Sequence, residues 1–129
     1  MNRQKERAFF SGNMNKPDVH ISPLGYQYKI LNTGTGTVSP SKNSTVLVNY
    51  ELRSLNGIKL DSSYDRGTPI RFKLSEVILG WKYALSEMVE GEKRTIYIPA
   101  ELAYGCNAQP PRIGFDEALV FDVELIKIL

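Results

Sequence analysis

The sequence predicts an α+β domain in which an antiparallel β-sheet of about five strands wraps around one short α-helix. Three observations indicate this architecture. In several short segments apolar side chains alternate with polar ones, which is the period of a half-buried strand. One segment instead repeats its apolar residues at steps of three and four, the period of an amphipathic helix. The length of 129 residues is also typical of a single domain.

The first 21 residues are predicted to be a basic helical segment and linker that precede the main domain, residues 22–129. The first 16 residues contain four basic side chains and one acidic side chain. We expect a solvated basic tail there and no nucleic-acid partner, because nucleic-acid-binding arms carry a denser basic run. Phe9 and Phe10 predict a short helix with one apolar face. Residues 17–23 contain two prolines and are expected to be extended.

Five later segments are predicted to be strands, and two glycine-containing sites are predicted to be turns. The strands are residues 26–30, 46–52, 58–60, 94–98 and 118–129. The Asn56-Gly57 dipeptide is a strong signal for a hairpin between the second and third of them. Gly34 and Gly36 are expected to lie in a loop and not in a phosphate-binding cradle, because no helix follows them.

The single helix expected within the main domain carries an apolar stripe. The stripe consists of Val77, Ile78, Trp81, Ala84, Leu85 and Met88. Ser75 and Glu76 are typical of a helix start, and Gly91 is typical of the position just past a helix end. The strand that follows is expected to stop at Pro99.

The composition excludes several classes of chemistry. One cysteine, Cys106, and one histidine, His20, leave no disulfide within the chain and too few ligands for a Cys/His zinc site. A Ser-His-Asp triad would have to use His20 in a polar, proline-flanked segment. We therefore expect no metal, no cofactor and no thiolate chemistry. No apolar run is long enough to span a membrane, and the absence of a signal core predicts a cytoplasmic protein, or a periplasmic or surface one if Met1 is not the native start.

Several short motifs follow one another in the order and spacing of a known family. They are Tyr50, Asp61-Ser-Ser-Tyr64, Glu76-Val-Ile-Leu-Gly-Trp81, Ala103-Tyr-Gly105 and Leu119-Val-Phe-Asp-Val-Glu-Leu125. On these motifs residues 24–129 closely resemble the FKBP-type peptidyl-prolyl isomerases, which bind rapamycin-like macrolides. Residues 9–29 further resemble the bacterial macrophage-infectivity-potentiator subgroup. The resemblance implies an isomerase of Xaa-Pro bonds that acts on proline-containing polypeptides, and we expect a monomer.

The resemblance also implies a set of site residues. Trp81 resembles the floor of a pocket for the prolyl ring, and Asp61 resembles its single carboxylate, held by Tyr50 and Arg66. Tyr104 resembles the residue whose hydroxyl binds the ligand carbonyl. The N–H of Ile78 resembles the backbone donor at the helix start. The walls and rim are implied to be Tyr50, Phe72, Phe121, Val77, Leu60, Ile70 and Ile113.

The residues by themselves also allow structural interpretations. Aromatic side chains on strands and amphipathic helices are mostly core, and Asp61-Ser-Ser is ordinary turn chemistry. Tyr104-Gly105 on its own is a boundary between a strand and a loop. Two functions therefore stay open at this point: an active prolyl isomerase, and a non-catalytic module or chaperone that holds proline-containing segments.

Overall fold

The structure is a computed structural model that describes residues 2–55, 57–102 and 118–129. Within these ranges the chain forms seven strands, three α-helices and two short 3-10 turns. The helices are α1 (Asn2–Asn13), α2 (Ser63–Arg66) and α3 (Leu79–Ser86). The strands are β1 (Val19–Ile21), β2 (Gln27–Asn32), β3 (Thr45–Ser54), β4 (Lys59–Ser62), β5 (Ile70–Lys73), β6 (Lys93–Ile98) and β7 (Leu119–Ile128). The 3-10 turns are Leu74–Glu76 and Ala100–Leu102.

All seven described strands join one antiparallel sheet in the order β1-β2-β6-β7-β3-β4, and β5 also pairs with β3. This confirms the predicted α+β class with an antiparallel sheet around a short helix. The two strands beyond the predicted five are β1 and β5, which have three and four residues. Segments of that length are too short for alternation to distinguish them from loops. Residues 19–21, expected to be linker, are thus an edge strand.

The strand β3 is divided between two neighbours on one of its edges. Its other edge pairs with β7 along Val46–Ser54. On the divided edge its first half pairs with β5, up to Val48, and its second half pairs with β4, from Glu51. Asn49 and Tyr50 therefore lie at the division, where neither strand pairs with β3.

The core lies between the inner face of the sheet and α3. Along β3 every second residue is buried, as the alternation predicts. The helix α3 buries Trp81, Ala84 and Leu85 against this face. Gly80 allows the close approach, because a Cβ atom there would lie 2.6 Å from Cγ2 of the fully buried Ile98 on β6.

Both predicted boundaries of α3 are wrong. The sequence predicts a start near Ser75, but that residue lies in a 3-10 turn and α3 begins at Leu79. Val77 is extended, with φ −95° and ψ 167°, so the helix cannot continue back through it. At the other end α3 stops at Ser86, and Gly91 (φ +86°) instead forms the turn into β6.

The predicted N-terminal helix is present as α1, and it packs on the outer face of the sheet. The Asn13 side-chain amide donates to Oε1 of Gln27 at 2.8 Å, and the Gln27 amide donates to the carbonyl of Phe10. The Phe9 ring lies 5.8 Å from the ring of Tyr97. Because α1 covers this face, Gln27 on β2 is buried, although the alternation predicts the opposite.

Ile30 is the second exception on β2. The alternation predicts that it is buried, but 39% of it is exposed. It lies where the pairing of β2 with β6 becomes irregular, between Ile30 and Asn32. The division of the chain at residues 21 and 22 stays a prediction.

Candidate active site

Four aromatic rings, together called the aromatic box, cluster at the first turn of α3. Trp81 is 4% exposed, and its ring centroid lies 5.4 Å from Tyr50, 5.0 Å from Phe72 and 5.3 Å from Phe121. The interplanar angles are 81°, 75° and 76° respectively. These steep angles are the edge-to-face arrangement that aromatic pairs prefer. Three rings therefore surround the indole.

The register of the sheet brings these rings together. Phe72 on β5 is the partner of Val46 on β3, and Phe121 on β7 is the partner of Leu52. Tyr50 lies on the same buried face of β3 as both of those partners. The two strands thus present their rings on either side of Tyr50, above α3. Four half-buried apolar residues of the predicted site pack against the same core: Leu60, Ile70, Val77 and Ile78.

The backbone N–H of Ile78 is an available donor next to the indole. Ile78 is the N-cap of α3, and its carbonyl accepts from the N–H groups of Trp81 and Lys82, each at 3.1 Å. Within residues 2–55, 57–102 and 118–129 its own N–H donates no hydrogen bond. The helix start has no capping side chain either. Because the first N–H groups of a helix have no intrahelical partner, the position of Ile78 at the start of α3 leaves a peptide donor beside the box.

A single carboxylate, Asp61, is held at the edge of the box. The Tyr50 hydroxyl donates to its Oδ2 at 2.5 Å, and Nη1 of Arg66 donates to Oδ1 at 2.5 Å. The N–H of Ser62 donates to Oδ1 at 2.9 Å. Nη2 of Arg66 also lies 3.4 Å from the Tyr50 hydroxyl. Both carboxylate oxygens therefore have fixed donors.

These contacts control the ionisation of the site. Burial raises the pKa of the Asp61 carboxyl, but the hydrogen bonds from Tyr50 and Arg66 outweigh it and hold that pKa below its ordinary value. Burial and the hydrogen bond to Asp61 raise the pKa of the Tyr50 hydroxyl. At neutral pH the pair is thus an ionised carboxylate and a neutral phenol.

Replacing Asp61 with asparagine is expected to lower stability in a pH-dependent way. A carboxyl whose pKa is lower in the folded state stabilises the fold above its unfolded pKa of about 3.9, and this contribution is lost as the pH falls through the folded pKa. We expect Asp61→Asn to lower the free energy of unfolding by about 1 kcal/mol at pH 7, since the Arg66 side chain is 45% exposed and solvent screens the pair. The deficit should shrink towards pH 2.

Urea unfolding at several pH values checks this expectation. The exposed Asp18 offers a matched control, because Asp18→Asn should leave the free energy of unfolding at pH 7 nearly unchanged. An Asp61→Asn deficit of equal size at pH 3 and pH 7 would contradict the assignment.

The structure brings together most of the predicted site residues. Tyr50, Asp61 and Arg66 are joined by hydrogen bonds, and Tyr50 also joins this group to the box. Tyr104 and Ile113 lie outside the described residues. Ser63 is a contact that the prediction missed: its buried hydroxyl accepts the N–H of Tyr50 at 2.8 Å. The second serine of Asp61-Ser-Ser was the available signal.

Residues 2–55, 57–102 and 118–129 contain no cluster of three or more His, Cys, Asp or Glu side chains placed to hold a metal ion. In the same part of the chain no helix is both long and apolar enough to cross a membrane.

The chain is similar to known proteins over nearly all of its length. Residues 36–126 match the family described as FKBP-type peptidyl-prolyl cis-trans isomerase. The chain is 49% identical to the peptidyl-prolyl cis-trans isomerase Mip of Coxiella burnetii, over 98% of its own length and 55% of that protein. It is 40% identical to the outer membrane protein MIP of Legionella longbeachae, over 98% of its own length and 54% of that protein.

Solved structures agree with these relatives. The crystal structure of FkpA from Escherichia coli superposes with a TM-score of 0.91 at 36% identity, and the match covers 98% of this chain and 59% of that one. The chain spans about half the length of the curated relatives that it matches. With the split β3 and the aromatic box, these matches show that the chain belongs to the FKBP-type peptidyl-prolyl cis-trans isomerase family and is similar to its Mip members.

Proposed function

We propose that the chain is a peptidyl-prolyl cis-trans isomerase that accelerates rotation about Xaa-Pro bonds in proline-containing polypeptides. The observation that carries the proposal is the double role of Tyr50. Its ring lies 5.4 Å from the Trp81 ring, and its hydroxyl donates to Asp61. One residue thus connects an apolar box of the right character for a prolyl ring with an oriented carboxylate at the edge of that box.

The reaction suits a site of this kind. Rotation about the Xaa-Pro bond has a barrier of about 18–20 kcal/mol and takes tens to hundreds of seconds unaided. A turnover of about a thousand per second requires the barrier to fall by about 7 kcal/mol. Rotation breaks no covalent bond and moves no proton, so it needs no nucleophile and no general base. The twisted bond has less charge separation than the planar amide, and a dry apolar pocket therefore favours it.

Each part of the proposed site has a distinct role. The prolyl ring binds on Trp81 between the surrounding aromatic side chains. The free N–H of Ile78 donates to a substrate carbonyl, and this bond can strengthen in the twisted geometry. The Asp61 carboxylate acts through its field, facing the carbonyl carbon of the rotating bond. Tyr104 and Ile113 stay part of the proposal on the family resemblance alone, and every proposed residue lies in residues 22–129.

The cis-to-trans relaxation of a short peptide with one Xaa-Pro bond tests this function. We expect relaxation to accelerate in proportion to the concentration of the chain. Because no proton moves, the rate should vary little between about pH 6 and 8, far above the ordinary carboxyl pKa of about 3.9. An unaccelerated relaxation, or a steep pH profile in this range, would contradict the proposal.

Rapamycin-like macrolides are proposed to bind in the same box as inhibitors. Trp81 is the only tryptophan, so its fluorescence reports directly on this site. We expect the emission to change with ligand concentration and to saturate. Phe72→Leu removes a ring 5.0 Å from the indole and should weaken binding, whereas Leu79→Ala, on an exposed side chain of α3, should not. An emission spectrum that stays constant up to near-millimolar ligand would count against the site.

The location and assembly of the chain are part of the proposal as well. The curated relative of Legionella longbeachae is named an outer membrane protein, and this name does not support the predicted cytoplasmic location. We therefore place the chain in the cell envelope, as a periplasmic or surface protein, which cell fractionation can test.

We propose that the chain acts as a monomer, without nucleic acid, and light scattering in solution measures its mass.

A further inference from the structure

The gap in the pairing of β3 lies directly behind the proposed site. On the edge where β5 ends and β4 begins, Asn49 and Tyr50 have no strand partner. A buried backbone N–H in such a gap requires another acceptor. The acceptor for Tyr50 is the hydroxyl of Ser63, the first residue of α2. A side chain thus replaces the missing rung of the sheet.

The Ser63 hydroxyl both accepts and donates a hydrogen bond at this position. Its oxygen accepts the Tyr50 N–H at 2.8 Å, and its proton goes to Oδ1 of Asn49 at 2.9 Å, with the Tyr50 carbonyl as a more distant acceptor at 3.4 Å. The residue is 0% exposed, so no solvent competes for either bond. Ser63 therefore ties the start of α2 to two consecutive residues of β3.

These hydrogen bonds and the chain between them form a closed circuit that includes the candidate site. From Ser63 the chain runs back through Ser62 to Asp61, whose carboxylate accepts the hydroxyl of Tyr50. Forward along α2 it reaches Arg66, which donates to the same carboxylate. Ser63 thus holds the backbone N–H of Tyr50, and Asp61 holds its hydroxyl. This closed circuit sets the distance between β3 and α2 near the Asp61 carboxylate.

We propose that Ser63 is a positioning residue, which holds β3 and α2 at the separation that lets Tyr50 and Arg66 bind the same carboxylate of Asp61. This inference rests on the proposed isomerase function for its effect on rate, but its geometric part does not. Ser62 has a different task, since its hydroxyl caps α2 by accepting the N–H of Asp65. The two serines of the motif thus have separate roles.

The test compares Ser63→Ala with Ser54→Ala. Ser54 on β3 is a matched control, because it is also a buried serine whose hydroxyl accepts a backbone N–H, that of Ile58. We expect both variants to lose melting temperature. Only Ser63→Ala should lower kcat, by about two- to tenfold, the size expected for losing one hydrogen bond. The KM for a proline peptide should change less than twofold, since the box itself is intact.

A second readout requires no activity at all. The charged or titratable side chains that face Asp61 among the described residues are Tyr50 from β3 and Arg66 from α2. We expect the Asp61 carboxyl, followed by ¹³C NMR, to titrate at higher pH in Ser63→Ala than in the parent. Ser63→Thr keeps the hydroxyl and should restore both kcat and the titration.

Each outcome decides the proposal. An unshifted Asp61 titration in Ser63→Ala, or a kcat loss equal to that of Ser54→Ala, would overturn it. If Ser63→Ala does not fold, Ser63→Cys tests the same tie, because it keeps a side chain of similar shape and replaces the hydroxyl with a weakly hydrogen-bonding thiol. The pH at which Asp61 titrates must then rise in that variant, and an unchanged one overturns the proposal. A parent that accelerates no isomerisation refutes the proposed function, and the NMR titration still judges Ser63.

Discussion

Replacing Trp81 with alanine is expected to abolish isomerisation. The substitution empties the floor of the box and removes the ring that Tyr50, Phe72 and Phe121 surround. Trp81 is 4% exposed, and truncating a buried aromatic of this size costs about 3–5 kcal/mol of stability. Circular dichroism must therefore show a folded variant before its activity is measured.

Trp81→Phe is the control for this expectation. It keeps an aromatic ring under the proposed prolyl site and leaves a smaller cavity. We expect it to retain part of the activity and most of the stability. A folded Trp81→Ala variant that isomerises peptides as fast as the parent would show that the box is core and not a binding site.

Replacing Gly80 with valine is expected to have the second-largest effect. Its Cβ would lie 2.6 Å from Cγ2 and 2.7 Å from Cδ1 of Ile98, which is 0% exposed, so the helix or the Ile98 side chain must shift. Forcing extra volume into a packed core costs about 1–3 kcal/mol and occasionally more. We expect Gly80→Val to lower the free energy of unfolding by an amount near the upper end of that range. This corresponds to a melting temperature about 10 °C lower.

The same change should also impair activity, because the displaced helix carries both the Trp81 ring and the Ile78 N–H. Gly12→Val is a suitable control, since no atom lies within 4 Å of a Cβ at Gly12 on α1. It should leave melting temperature and rate nearly unchanged. Equal effects of the two valines would contradict the close packing of α3 against β6.

The sequence predicts the parts of this fold that depend on a repeating pattern. The alternation along β3 identifies its buried face, and that face carries Tyr50 to the box. The alternation predicts the wrong burial where another element covers the outer face of the sheet. Gln27 is buried because α1 covers the outer face of β2, and one-strand periodicity contains no information about a helix elsewhere in the chain.

Near the candidate site, local sequence patterns also fail to predict the roles of two serines. Ser75 satisfies the local rules for a helix start, but Val77 is extended and half-buried beside the box, and this moves the start to Leu79. In both cases the Ile78 N–H is among the first donors of the helix, which have no intrahelical partner, so the shift leaves that donor in place. Ser63 reads locally as turn chemistry, and only the split pairing of β3 shows why its hydroxyl is needed. Local propensity does not report which backbone groups lack a partner.

The most direct test of the central claim is NMR exchange spectroscopy on a proline peptide in the presence of a small amount of the chain. One sample reports both binding and rotation, because the cis and trans forms of the peptide give separate resonances that exchange only when the bond rotates. The isomerase account predicts exchange between the two resonances that grows with the concentration of the chain and disappears in folded Trp81→Ala. Peptide resonances that shift on binding but never exchange would contradict it and establish instead a module that holds proline-containing segments without rotating them.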